Sequence, residues 1–352
     1  MTGGFSLKRL GRVRELLERH VGSGFVPGVV AVLARPGEVH AEATGNLAFE
    51  GAGSRTAMAG DTICRLGSMT KPIVAACAMT LVEDCTLRLD DPVDDLLPEL
   101  ADMRVLADPD GPLEDTVPAN RPITLRDLLA YTLGTGMVPA EPGTIPISDA
   151  LSTLGQPPPD EWIRRLGTLP LVHQPGERWM YDTAASVTGV LIARATGMSF
   201  GDALRERICE PLGIKDTGFS VSGESLGRLA TAYAQALLAG GTHRGERVLS
   251  RPAVTLMTSD HLSPAQKAVS GFRPGYFDTM GWGLGVSVRT RRTQLGPSVG
   301  SYGWPGFYGT AWYNDPAEDL TAIVVMQRAH MGDQTLPMWS DLWTAVYQAI
   351  DD

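Results

Sequence analysis

Arg65-Leu66-Gly67-Ser68-Met69-Thr70-Lys71-Pro72, running into the apolar segment Ile73–Val82, is the stretch on which the reading of this chain turns. A helix over Ser68–Asp84 places Ser68 and Lys71 on one face, because residues three apart stack on the same side. Pro72 fits the first helical turn, where backbone N–H groups lack partners. A helix start also offers free N–H groups and a positive partial charge, both suited to an oxyanion. A serine hydroxyl becomes a working nucleophile only when a base takes its proton. A lysine is able to be that base if desolvation lowers its pKa, and the residues after Lys71 are apolar. With four lysines against 26 arginines, a lysine here is a scarce residue. The same pair also occurs at ordinary helix starts, so its weight comes from the rest of the chain.

Composition bounds that context. The 352 residues, 43% hydrophobic and 20% charged, are those of a soluble globular protein with ample core, as one large domain or two interleaved lobes. A formal net charge of −10 argues against nucleic acid and anionic membranes as partners. No window is apolar for the length a membrane span needs. Residues 1–24 read as an amphipathic helix (Leu7, Leu10, Val13, Leu16, Leu17, Val21) without the apolar centre of a signal peptide, which predicts a cytoplasmic protein. Cys64, Cys77, Cys85 and Cys209 show no C-x-x-C pairing and read as buried thiols. The six histidines form no His-x-x-x-His pair, and neither metal nor organic cofactor is implied.

Further along, the apolar run Val29–Ala34, the turn Pro36-Gly37 and the alternating Glu38–Thr44 predict a hairpin. From Leu87 to about residue 270, short helical patterns alternate with Pro/Gly-rich loops, at Ala107–Arg121, Gly134–Pro146 and Gly155–Asp160. Helices are expected over Thr183–Thr196, stopping at Gly197, and over Phe200–Ile208. Trp282, Leu284, Val286 and Val288 alternate as in a strand, Thr310–Tyr313 and Leu320–Gln327 as a pair of strands, and Met338–Ile350 as a closing helix. Strands at both ends with helices between predict an α/β lobe, residues 1–66 and 270–352, completed by both termini. A mostly helical lobe, residues 67–269, is inserted in it.

Several stretches together resemble the serine β-lactamase and penicillin-binding-protein superfamily, in the class C-like branch that includes family VIII carboxylesterases and D-aminopeptidase-like hydrolases. They are Pro27–Val32, Arg65–Lys71 with its Ser-x-x-Lys, Leu87–Val93, Ile123–Leu129, Pro175–Tyr181, Pro211–Phe219 and Trp282–Gly285, in family order. The resemblance implies an antiparallel sheet flanked by helices, with the site between the lobes. It implies that Ser68 is the acylated nucleophile, Lys71 its proton-handling partner and Tyr181 the tyrosine that shares the base role. The third motif, normally on a strand edge, is matched by Trp304-Pro305-Gly306-Phe307. The oxyanion hole is then the N–H groups of Ser68 and Phe307, with Gly306 allowing close approach of the substrate.

Two departures shape the substrate. Tyr181-Asp182-Thr183 replaces the family's Tyr-x-Asn, and Trp304 replaces the cation of the third motif, which disfavours a carboxylate-bearing substrate. Tyr302, Trp304, Phe307, Tyr308 and Trp312 cluster around that motif as candidates to line an apolar pocket. A competing pattern, Gly296-Pro297-Ser298-Val299-Gly300, matches a nucleophile elbow with Asp319 and His330 in triad order. An elbow needs a helix after it, and Ser301–Gly306 cannot begin one. The expectation is a serine hydrolase acting through an acyl-enzyme, foremost a carboxylesterase on small or medium esters. The rivals are an acyltransferase, then a β-lactamase or D-amino-acid peptidase, and a non-catalytic binding relative. The partner expected is a small-molecule ester, and oligomeric state is not legible.

Overall fold

The run Val29–Ala34 is strand β1 (Gly28–Arg35) in the computed structural model, which describes residues 4–50, 52–220, 242–243, 246–271, 274–326, 328 and 336–351. Its side chains are buried on both faces, as a continuous β-branched run requires. The chain divides into two units: Met1–Ile73, Ile208–Thr258 and Val286–Asp352 form one, and Val74–Arg207 with Ser259–Gly285 the other.

In the first unit, β2 (Glu38–Gly45), β3 (Ser287–Arg289), β4 (Tyr302–Gly306), β5 (Thr310–Asp315) and β6 (Leu320–Met326) join β1 in the order β2-β1-β6-β5-β4-β3, all antiparallel. One face, with Val29, Ala31, Leu33, Ala322 and Val324, packs on helix α1 (Leu7–Gly22) and on the C-terminal helix Leu336–Gln348. Leu10, Val13, Leu16 and Leu17 are the buried stripe of α1, whereas Leu7 lies 78% exposed. Strand β3 pairs with β4 at Tyr302 and Gly303, the first two residues of β4.

Several expectations shift by a turn. The helix after Gly67 begins as a tight turn, Gly67–Met69, and becomes the regular helix α2 only over Thr70–Glu83. The alternation Trp282–Val288 is buried throughout but is not one strand. A strand ends at Trp282, Gly285 N–H turns to donate to the Leu129 carbonyl at 2.8 Å, and β3 begins at Ser287. Within the expected loop Ala107–Arg121, Thr116–Pro118 pairs with Arg104–Leu106. Helix Phe200–Leu204 continues as a wider turn through Arg205–Cys209. Cys77 and Cys209 are buried, but Cys85 is exposed, contrary to its reading as a core thiol. Gln327 and His330 lie outside the described residues. Among the described residues, no helix is long and apolar enough to cross a membrane.

In the second unit, helix α3 (Leu125–Ala130) is fixed at both ends. At its start the Thr124 side chain accepts from Asp127 N–H while the Asp127 carboxylate accepts from Thr124 N–H, a reciprocal cap. Asp127 also receives both Arg121 nitrogens, at 2.6 and 2.8 Å, and the Thr132 hydroxyl at 3.1 Å. At its end Tyr131 adopts a left-handed conformation (φ 60°), and its carbonyl accepts from Met180 N–H at 2.8 Å. Helix α4 (Thr183–Thr196) follows and stops at Gly197 as expected.

Burial pushes the Asp127 carboxyl up, but the Arg121 and Thr124 hydrogen bonds outweigh it and hold it below the usual carboxylate range. A depressed folded pKa gives stability that is present above the unfolded value, about 4, and is lost as pH falls through the folded one. Asp127→Ala is expected to lower unfolding free energy by about 2 kcal/mol at pH 7, the cap and a half-exposed ion pair together. Urea unfolding at pH 7 and pH 3 checks this: the gap from wild type narrows in acid, and an equal gap at both pH values rules out the ionised carboxylate as its source.

Candidate active site

The tight turn Gly67–Met69 puts Ser68 one step before α2 and Lys71 in its first turn. Lys71 Nζ donates to Ser68 Oγ at 3.0 Å, the contact that i,i+3 spacing allows. Both side chains are half-buried.

The turn stands against the end of β4. Gly67 has φ +56°, and a Cβ there would lie 3.0 Å from the Phe307 amide nitrogen. A Cβ on Gly306 would lie 2.0 Å from the Leu66 carbonyl oxygen and 2.1 Å from Thr310 Oγ1. Only glycine lets the two backbones approach this closely. Among the described residues, neither the Ser68 nor the Phe307 amide N–H donates to a protein acceptor. Two amides without a protein acceptor, one on Ser68 itself and one against Gly67 next to it, are donors of the kind an oxyanion hole uses.

Ser68, Lys71, Gly306 and Phe307 are thus brought together in the first unit. Trp304 is 4% exposed within β4, opposite Trp312 in register. The aromatic cluster divides. Tyr302 and Trp312 are core, tied to buried Asn314, whose Oδ1 accepts from Trp312 Nε1 at 3.1 Å and whose Nδ2 donates to Tyr302 OH at 3.2 Å. Phe307 and Tyr308, edge to face at 5.4 Å, remain 50% and 37% exposed beside Gly67.

Tyr181 belongs to the second unit. Its ring, 9% exposed, lies 6.0 Å from that of Tyr131 and 5.9 Å from that of Trp179. Its carbonyl accepts from Met137 N–H, and Trp179 N–H donates to Ser270 Oγ at 2.9 Å. Leu66, Thr310 and Tyr131 escaped the sequence reading: a leucine before a glycine and a threonine opening a strand carry no signal of their own.

The elbow pattern is not built as one. Ser298 is 7% exposed, its N–H donates to Asp315 Oδ2 at 2.7 Å, and strand β4 follows instead of a helix. Burial pushes the Cys64 thiol up to about 11, so it stays protonated near neutral pH.

A sheet edge set against a Ser-x-x-Lys helix start is the arrangement of the β-lactamase/transpeptidase-like fold. The family model described as Beta-lactamase matches residues 13–341, and the chain belongs to that family. Protein Rv1367c of Mycobacterium tuberculosis is 37% identical over 314 residues, 76% of this chain and 78% of the relative. Esterase EstB of Burkholderia gladioli is 30% identical across 91% of this chain and 90% of its own. The solved structure of EstCE1, described as a hydrolase with promiscuous acyltransferase activity, superposes with a TM-score of 0.78 at 21% identity, over 96% of this chain and 98% of that one, and shares the fold.

The close approach at Gly306 is testable by one carbon. Gly306→Ala is expected to cut ester turnover at least about a hundredfold and to destabilise by about 1–3 kcal/mol, because backbone cannot yield as a side-chain tip does. Turnover and thermal unfolding of the variant measure both, and wild-type values would show the junction to be loose.

Proposed function

We propose that the chain is a serine hydrolase working through an acyl-enzyme on Ser68, foremost a carboxylesterase on small or medium esters. The observation that carries this reading is the 3.0 Å contact of Lys71 Nζ with Ser68 Oγ beside the two free amides. Likeness to esterase EstB over nine-tenths of both chains supports it.

In acylation, Ser68 Oγ attacks the ester carbonyl carbon and its proton passes to the Lys71–Tyr181 base system. Negative charge gathers on the carbonyl oxygen, where the Ser68 and Phe307 amides receive it. The bond to the alkoxy group then breaks, and the departing oxygen takes the proton back through the same groups. Water repeats the sequence on the acyl-enzyme and releases the acid. An alcohol or amine arriving first gives the acyltransferase outcome from the same intermediate.

The exposed Phe307–Tyr308 pair supports a substrate with an uncharged, apolar acyl or alkoxy part, as does Trp304 where the superfamily carries a cation. Phe307→Ala and Tyr308→Ala are expected to raise KM about 3–10-fold for a hexanoyl ester and much less for an acetyl ester. Equal changes on both esters would count against an apolar platform.

Covalent labelling tests the nucleophile without a known substrate. A fluorophosphonate should modify Ser68, located by peptide mapping, and Ser68→Ala should lose label and at least about a thousandfold of turnover. Tyr181→Phe keeps the ring against Tyr131 and Trp179. It should cut kcat by about 10²–10⁴ with little change in Tm. Full activity in Ser68→Ala ends the acyl-enzyme reading, and a collapse of Tm in Tyr181→Phe makes Tyr181 structural.

A further inference from the structure

We infer that Thr310 is a positioning residue that sets the oxyanion hole through the Leu66 carbonyl, an inference that rests on the acyl-enzyme reading of Ser68. Thr310 opens β5 and is fully buried, and its Oγ1 donates to the Leu66 oxygen at 2.7 Å across 244 positions of sequence. In register it faces Gly306, the residue before Phe307. Its hydroxyl occupies the space that a Cβ on Gly306 would take. One hydroxyl therefore touches both halves of the hole: the turn that carries Ser68 N–H and the hairpin that carries Phe307 N–H.

The peptide unit explains why the contact matters. The Leu66 carbonyl and the Gly67 nitrogen lie in one rigid plane. Holding that oxygen fixes the plane from which Gly67, at φ +56°, aims the next peptide and its Ser68 N–H. Without the hold, Gly67 is the residue best able to let that amide turn away. A hydroxyl that merely satisfied a buried carbonyl would be a lesser reading. The Leu66 oxygen, however, also accepts from Met69 N–H at 3.3 Å, so it keeps a partner when Thr310 is replaced. The valine-like shape needed for packing in a strand is available without an oxygen. What the oxygen adds is direction.

Thr310→Ser, Thr310→Ala and Thr310→Val in the full chain separate direction from packing. The readouts are Tm, the rate of fluorophosphonate labelling at Ser68, and kcat and KM on a p-nitrophenyl ester. The alanine and valine variants should label and turn over about 10–100-fold more slowly, with KM within about threefold and Tm nearly unchanged. Thr310→Ser, which keeps the hydroxyl, should stay within about threefold of wild type in rate. Wild-type labelling of Ser68 with unaltered alanine and valine rates overturns the positioning role alone. So does a serine variant as slow as alanine, which would make the methyl group the important part, or activity losses that track losses of Tm. Absence of label on wild-type Ser68 overturns this inference together with the reading it rests on.

Discussion

The Leu66 carbonyl, the Gly306 α-carbon and the Thr310 hydroxyl meet with no room for another carbon between them. Much of the first unit is arranged so that this junction forms. Strand β4 must end in glycine at that point, β5 must present a small hydroxyl opposite it, and the chain before Ser68 must turn through a left-handed glycine. The sheet supplies rigidity. The β4–β5–β6 ladders run in continuous antiparallel register, and the face turned to α1 and the C-terminal helix is closed by buried apolar side chains. A backbone junction this close needs such a platform, and in the proposed mechanism the amide donors act only when aimed at the place where charge develops.

In the second unit, the segment that carries Tyr181, the phenol of the proposed base system, is held in a different way. Tyr181 has no strand ladder of its own. Its segment hangs from α3: Met180 bonds to the Tyr131 carbonyl, and the Tyr131 and Trp179 rings back the Tyr181 ring. Helix α3 is only six residues long, too short to stand on propensity. The reciprocal cap with Asp127, anchored by Arg121 and Thr132, makes so short a helix a fixed support. The polar contacts of Asp127 are thereby tied to the placement of Tyr181.

Elements with a strong local period were legible in the sequence. Strands β5 and β6 pair as expected, with β5 running on through Asn314 and Asp315, and the apolar run of β1 and helix α4 with its terminal glycine stand where their patterns place them. So does the Ser68–Lys71 pair, since i,i+3 spacing alone brings two such side chains into contact. The buried alternation from Trp282 to Val288 misled because burial and strand pairing are separate facts. All four residues face the interior, yet Gly285 leaves the sheet to reach Leu129. The Thr310–Leu66 contact was beyond reach, joining two unremarkable residues 244 positions apart.

The proposed preference for neutral esters rests on the residues at and beside the end of β4. A carboxylate brought next to a reacting carbonyl loses hydration and needs a cation to replace it. At the position where the resemblance expects that cation, Trp304 lies buried in the sheet. Phe307 and Tyr308 are exposed beside Gly67. Aromatic surface gains by covering apolar carbon and offers an anionic group nothing in return. On the proposed reading, the two amides would still stabilise an ester's tetrahedral intermediate, while the aromatic surroundings would give no preference for charged acyl donors. The proposed preference for a neutral ester over a carboxylate-bearing lactam or peptide is thus one of recognition, with the acyl-transfer chemistry left unchanged.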